Sequence, residues 1–371
     1  MRLSFILRGL KTAPLRARIR CGRLSIPPLE PRALARVGSI FLVSFITLVI
    51  ISNPALADDS LFYKELNIIG GYSDRGHWVG KSRELLNSLG LEYYRKFSGE
   101  YADYLTTDLQ LRVSYDSRKN SHDAWGIEVH NAWLEHKLAY GANLRLGHFD
   151  PAFGLEPLLD THGTILQTLA MKNMGLKKDW GAGLEGSLPK FDYKLAMQLG
   201  SGMSIYRRDD SFLLTSRIGS PASGNWQYGL SFLYGRVLES EGMRTFPRDK
   251  LLSDDAVSKK RIGLDGQYLF GPYLFKAETA YGKNNDEDVL GYLAALDYTI
   301  PKYQNWSFEL QFQSWINDLS NSNSRDSTLT LGTSYKLNQN ITLRSAFSHD
   351  LNMANQNKDN KFLVQFYYFG L

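Results

Sequence analysis

Asn305–Ile316 reads NWSFELQFQSWI. Trp306, Phe308, Leu310, Phe312 and Ile316 fall on one parity, with Ser307, Glu309, Gln311 and Gln313 between them. In an extended strand that alternation puts large apolar side chains on one face and hydrogen-bonding ones on the other. Other segments read the same way. In 101–116, Leu105, Leu109, Leu111 and Val113 oppose Asp108, Gln110, Arg112 and Ser114. In 273–282, Phe275, Ala277 and Tyr281 oppose Lys276 and Glu278. In 326–337, Leu329, Leu331, Tyr335 and Leu337 oppose Thr328, Thr330, Ser334 and Lys336.

Extended outward, the pattern predicts sixteen strands: 62–73, 88–97, 101–116, 124–138, 142–149, 178–188, 191–200, 210–219, 225–237, 258–270, 273–282, 288–300, 305–316, 326–337, 341–350 and 360–370. Read back from the C-terminus, the connections alternate. Leu351–Asp359, Asn317–Arg325, Leu238–Ala256 and Ser201–Asp209 are long and polar. Asn338–Asn340, Pro301–Gln304, Gly271-Pro272, Ser220–Gly224 and Pro189-Lys190 are short, and the charged Lys283–Glu287 takes a place among the long ones. An even strand number with short turns at one end and longer loops at the other is the pattern of an outer-membrane barrel. Trp125, Trp226, Tyr228, Tyr268, Tyr273, Trp306 and Tyr335 lie near the predicted strand ends, where aromatic girdles sit. A soluble β-sandwich alternates too, but needs neither strict long–short connections nor aromatics at both strand ends. The predicted fold is therefore an all-β transmembrane antiparallel barrel, with both termini on the short-turn, periplasmic side.

Composition narrows the function. Of 371 residues, 43% are hydrophobic and 13% aromatic, which excludes wholesale disorder. The net charge of +5 is local: residues 1–57 hold nine of the 43 Lys and Arg but one of the 38 Asp and Glu. The remainder, 34 bases against 37 acids, is mildly acidic, so no nucleic-acid partner is expected. The single cysteine, Cys21, lies in that leader, which leaves the rest without disulfides, thiolate metal sites or attached c-type haem. Gly38–Ser52 is a short apolar run after Arg32 and Arg36, and Ala55-Leu56-Ala57 supplies small residues for cleavage. The run is short of the ~20 residues of a spanning helix. The expectation is an export leader over 1–57 and an outer-membrane barrel over 58–371, embedded in bacterial outer-membrane lipid.

Asp150–Lys177 is the longest connection and the third external one. Loops of this length in compact domains are usually functional. Phe153, Leu155, Leu158, Leu159, Ile165, Leu166, Leu169, Met171, Met174 and Leu176 make it too apolar for free solvation, so it is expected to fold inward and narrow the lumen. Just before it, Leu146–Glu156 reads LGHFDPAFGLE. This resembles the strand-then-loop segment of the phosphate-selective porin O and P family, through Gly147, Phe149, Phe153, Gly154, Leu155 and Glu156. One residue is inserted at Pro151-Ala152-Phe153. The resemblance implies passive diffusion of small hydrophilic solutes, and a homotrimer at the level of the family.

Phosphate preference does not carry over, because the lining is mixed. Alternation points Arg112, Arg145, Lys194, Arg217, Arg261, Lys276 and Arg344 inward, but also Asp108, Glu128, Glu185, Asp265, Glu278, Asp297 and Glu309. The connection adds Asp150, Glu156 and Asp160 against Lys172 and Lys177. The expected pore lining and constriction comprise Arg112, Arg145, Asp108, Asp150, Glu156, Asp160 and Lys172, with Asp150, Glu156 and Asp160 across from Arg112 and Arg145 at the narrowest point. Opposed charges across a narrow pore orient dipolar solutes without choosing a sign.

Ser348-His349-Asp350 holds the residue types of a catalytic triad, but neighbours on a strand point to opposite faces. His130, His136 and His148 fall on adjacent strands without a carboxylate pattern to complete a metal site. No catalytic residue, metal or cofactor is predicted. A diffusion porin is the leading expectation. The alternative is the barrel sheath of an extracellular electron-transfer conduit, with a cytochrome partner.

Overall fold

The computed structural model describes residues 60–371 apart from 75–86, 101, 117–123, 160–162, 241, 249–250, 322 and 355–357. The expected export leader, residues 1–57, lies outside the described residues. Sixteen strands follow one another: β1 Ser60–Ser73, β2 Asn87–Ser98, β3 Asp103–Tyr115, β4 Trp125–Lys137, β5 Ala142–Phe149, β6 Asp179–Ser187, β7 Asp192–Gln198 and β8 Phe212–Gly219. The second half holds β9 Trp226–Val237, β10 Val257–Phe270, β11 Tyr273–Asn284, β12 Glu287–Thr299, β13 Trp306–Ile316, β14 Arg325–Lys336, β15 Ile341–Asn352 and β16 Lys361–Gly370. Each strand pairs with its sequence neighbours, and β1 closes on β16 from Lys64↔Gly370 to Ser73↔Lys361. Closure leaves no unpaired edge, the condition for crossing a bilayer with strands.

The alternation sorts side chains in the reverse of a soluble protein. Leu111, Val113, Leu230, Phe232, Ile262, Leu264, Phe308 and Leu310 are exposed on the outer face. Gln110, Arg112, Arg217, Arg261, Asp265, Glu278 and Gln365 are buried on the inner one. Aromatic pairs mark both rims. Trp226–Tyr268, Tyr273–Tyr298 and Trp306–Tyr335 lie at the short-turn end, with centroids 3.9, 4.9 and 4.6 Å apart. Tyr115–Trp125 and Phe212–Tyr234 lie at the other.

Three local features depart from the sequence reading. The Lys283–Glu287 connection is a two-residue hairpin at Asn285-Asp286, with Asn285 at φ 51°, so the long–short alternation breaks there. β8 begins at Phe212, because Asp209 and Asp210 take positive φ values of 45° and 50°, which end extended backbone. In β4, the register against β3 jumps from Asn131↔Gln110 to Val129↔Leu111. That one-residue bulge at His130 reverses the parity of the rest of the strand, and Glu135 turns inward to meet Arg145.

Candidate functional site

The connection between β5 and β6, residues 150–178, is tied to inner-face side chains over much of the barrel. The backbone N–H of Ala152 donates to Thr215 Oγ1 of β8 at 2.9 Å, and that of Gly154 to Ser231 Oγ of β9 at 3.1 Å. Leu155 N–H donates to Glu278 Oε2 of β11 at 3.2 Å. From β10, Arg261 donates to Asn173 Oδ1 at 3.0 Å and Lys259 to the Met174 carbonyl at 2.9 Å. Gln311 and Gln313 of β13 both donate to the Gln167 carbonyl, at 3.1 and 2.5 Å. Arg344 of β15 donates to the Gly163 carbonyl at 2.7 Å.

Apolar contacts fill between these bonds. Phe153, Ala170, Met174 and Leu176 cluster with Leu213, Leu233, Val237 and Ala280. Leu155 and Leu169 pack with Leu293 and Ala295, and Ile165 with Ile69 and Ala346. Two positions need glycine. Gly154, at φ +62°, lies so close to Glu278 that a Cβ would come within 2.3 Å of its carboxylate. Gly163, at φ +67°, lies against the Tyr367 ring.

On the β1–β4 side a cavity of about 540 Å³ remains open. Its wall carries Glu65, Gln110, Arg112, Glu128, His130 and Asn131, and residues 150–178 contribute Asp150, Glu156, Gln167, Lys177 and Lys178. Arg112 is the hub of the wall. Its Nε donates to Glu65 Oε2 at 2.8 Å and its Nη1 to Glu128 Oε1 at 3.3 Å. His130 Nδ1 lies 2.8 Å from the same Glu128 oxygen. Asn131 donates to Asp108 Oδ2 at 3.0 Å. On the opposite side Lys178 pairs with Asp150 at 2.8 Å, Lys177 donates to Gln167 Oε1, and Thr168 Oγ1 donates to Glu156 Oε2. Burial of Glu156 pushes its carboxyl above the ordinary glutamate range, with Lys177 acting against the shift.

Arg112, Asp150 and Glu156 thus share one cavity, while Asp108 stands behind it as the acceptor for Asn131. Arg145 is elsewhere. It is held by Glu135 and by Glu185 at 2.8 Å, lies over the Trp133 ring at 4.5 Å, and borders a separate hollow of about 40 Å³. Lys172 pairs with Asp326 at 3.4 Å outside both hollows. Asp160 lies outside the described residues. The sequence reading passed over Glu65, whose strand carries apolar residues on both faces, and Lys178, which it placed in a strand. It also passed over Asp179, whose buried carboxylate accepts backbone N–H groups from Trp180, Gly200, Ser201 and Gly202. That cluster fixes the start of β6 and so the exit of the 150–178 connection. Among the described residues no three His, Cys, Asp or Glu side chains converge on a metal position.

The chain matches no protein-family model and no curated protein. Solved structures match it in fold. A loop-deletion form of OmpT, an outer membrane protein of Vibrio cholerae, superposes with a TM-score of 0.61 at 12% identity, covering 85% of this chain and 100% of that one. The anion-selective porin from Comamonas acidovorans gives 0.60 at 11% identity, over 84% and 100%. The outer membrane channel DcaP of Acinetobacter baumannii gives 0.56 at 13%, over 86% and 99%. The chain therefore has the fold of the sixteen-stranded outer-membrane porins, at identities that speak for fold alone.

Proposed function

We propose that this chain is an outer-membrane porin through which small hydrophilic solutes and ions diffuse passively. The observation that carries the reading is the cavity of about 540 Å³ between the β1–β4 wall and residues 150–178, with charged and carboxamide groups on both sides. On this reading residues 150–178 cross the lumen as its constriction, with Arg112, Asp150 and Glu156 at the narrow point. Purified protein in a planar bilayer should give discrete ohmic conductance steps; a silent bilayer with folded protein would overturn the proposal.

Export and assembly are part of the proposal. Residues 1–57 are removed, and N-terminal sequencing of the outer-membrane fraction should read from Asp58. An intact leader in the inner membrane would sink this. One OmpT structure is described as a trimer form. Three copies of this chain are proposed to associate in the same way.

The two arginines of the expected constriction should separate. Arg112→Gln removes one positive charge from beside Glu65 and Glu128 on the cavity wall, so the reversal potential in a KCl gradient should move toward cations. Arg145→Gln acts on the separate hollow and should move it much less. The opposite order would put the constriction at Arg145.

A further inference from the structure

The charges that line the large cavity do not balance. Five carboxylates border it: Glu65, Glu92 and Glu128 from the barrel wall, Asp150 and Glu156 from residues 150–178. Three cations answer them, Arg112, Lys177 and Lys178. The excess arises where the structure departs from simple alternation. Counting by twos brings Arg145 to the narrow point beside Arg112. The bulge in β4 instead turns Glu135 inward, and Arg145 is held by Glu135 and Glu185 at the separate hollow.

Exposure sharpens the imbalance. Arg112, Lys177 and Lys178 are all buried. Arg112 lies between two acids, with Nε 2.8 Å from Glu65 and Nη1 3.3 Å from Glu128. Lys177 is turned to Gln167 Oε1, and Lys178 to Asp150. Among the described charged residues of the cavity lining, only Glu92 and Asp150 are half-buried rather than buried, and both are acids. They stand on different walls, Glu92 on β2 and Asp150 at the head of the 150–178 connection. A solute in transit therefore meets carboxylate oxygens before it meets ammonium or guanidinium nitrogens. Glu156 is not needed for the sign. Set aside because burial favours its neutral form, it leaves four carboxylates against three cations.

We infer that the passage selects cations over anions, and that Glu92 and Asp150 set the preference. This rests on the porin reading and deepens it. In a narrow channel with low-dielectric walls, the field of the lining acts on a permeating ion with little screening. A potential of about −1 kT, small beside the several kT that charge-lined clefts reach, favours a monovalent cation over a monovalent anion about sevenfold.

The test is the reversal potential of single channels in a planar bilayer across a KCl gradient. It is measured at about pH 8, above the ordinary titration range of an imidazole such as that of His130 on the cavity wall. The expected ratio of potassium to chloride permeability is about 7. Glu92→Gln combined with Asp150→Asn leaves three acids against three bases and should bring the ratio close to equality, with the amides keeping the shapes of the acids. Glu92→Gln alone, on a wall strand, should give part of that fall if the double variant assembles poorly. Glu185→Gln makes the same charge change at the separate hollow and should leave the ratio as it is. A ratio at or below equality in the unaltered protein would overturn the inference and leave the porin reading standing. A shift from Glu185→Gln equal to that from Glu92→Gln would also overturn it, since the field would then belong to the barrel as a whole. Absence of any current would remove the porin reading beneath it.

Discussion

Deleting Leu158–Leu169 should enlarge single-channel conductance and admit solutes into liposomes that the intact protein excludes, while the barrel still folds. The expectation comes from where the segment is held. Within it, Gly163 accepts from Arg344, and Gln167 accepts from Gln311 and Gln313, so it spans to β13 and β15. Removing it frees that half of the barrel. What remains stays anchored, because Ala152, Gly154, Leu155, Asn173 and Met174 keep their bonds to β8–β11. The two ends of the cut lie in one part of the fold, since the Thr168 and Glu156 side chains beside them share a hydrogen bond. Gln311, Gln313 and Arg344 lose partners, as do Glu156 and Lys177, which lose Thr168 and Gln167, and the vacated lumen supplies water in their place. Liposome-swelling cutoffs and bilayer conductance measure the effect. Unchanged values, with heat-modifiable mobility confirming a folded barrel, would mean that residues 158–169 do not narrow the passage.

The barrel was legible because a strand between lipid and an aqueous lumen writes a period of two into the chain. NWSFELQFQSWI carries it from Trp306 to Gln313, and each of the sixteen predicted strands falls within a few residues of an observed one. The site was less legible, for physical reasons. Its pairs join residues far apart in sequence, such as Arg344 with Gly163 or Arg112 with Glu65, and alternation reports which face a residue is on but not what it meets. A bulge defeats even the facing. Counting by twos along β4 sends Glu135 outward, yet the extra residue at His130 brings it in against Arg145, which draws Arg145 away from the cavity that Arg112 lines. Asp179 was hidden differently. Its role depends on four backbone N–H groups, two of them from glycines at positive φ, which no side-chain pattern displays.

Leu310→Arg should destabilise the inserted barrel by about 2–4 kcal/mol, the cost of a cation on the lipid face near the bilayer midplane. Leu310 is exposed on the outer face, near the middle of β13, and pairs with Leu296 and Leu331 on either side. An arginine there finds neither water nor an acid and must snorkel to a rim. The adjacent Gln311→Arg tests the opposite face. From the sequence alone Gln311 is a lumen-facing residue whose replacement by arginine is tolerated. In the structure it is buried beneath residues 150–178, with its Nε2 on the Gln167 carbonyl at 3.1 Å. Its replacement therefore disturbs that contact, at a cost of about 1 kcal/mol for one neutral hydrogen bond. Part of the loss is recovered because the longer guanidinium still donates and reaches lumen water. Urea titration of both variants in lipid vesicles should then rank Leu310→Arg as much the weaker, and in the bilayer Gln311→Arg should alter conductance. Equal losses from the two would mean that the faces of β13 are assigned in the wrong register, and with them the inward set that defines the passage.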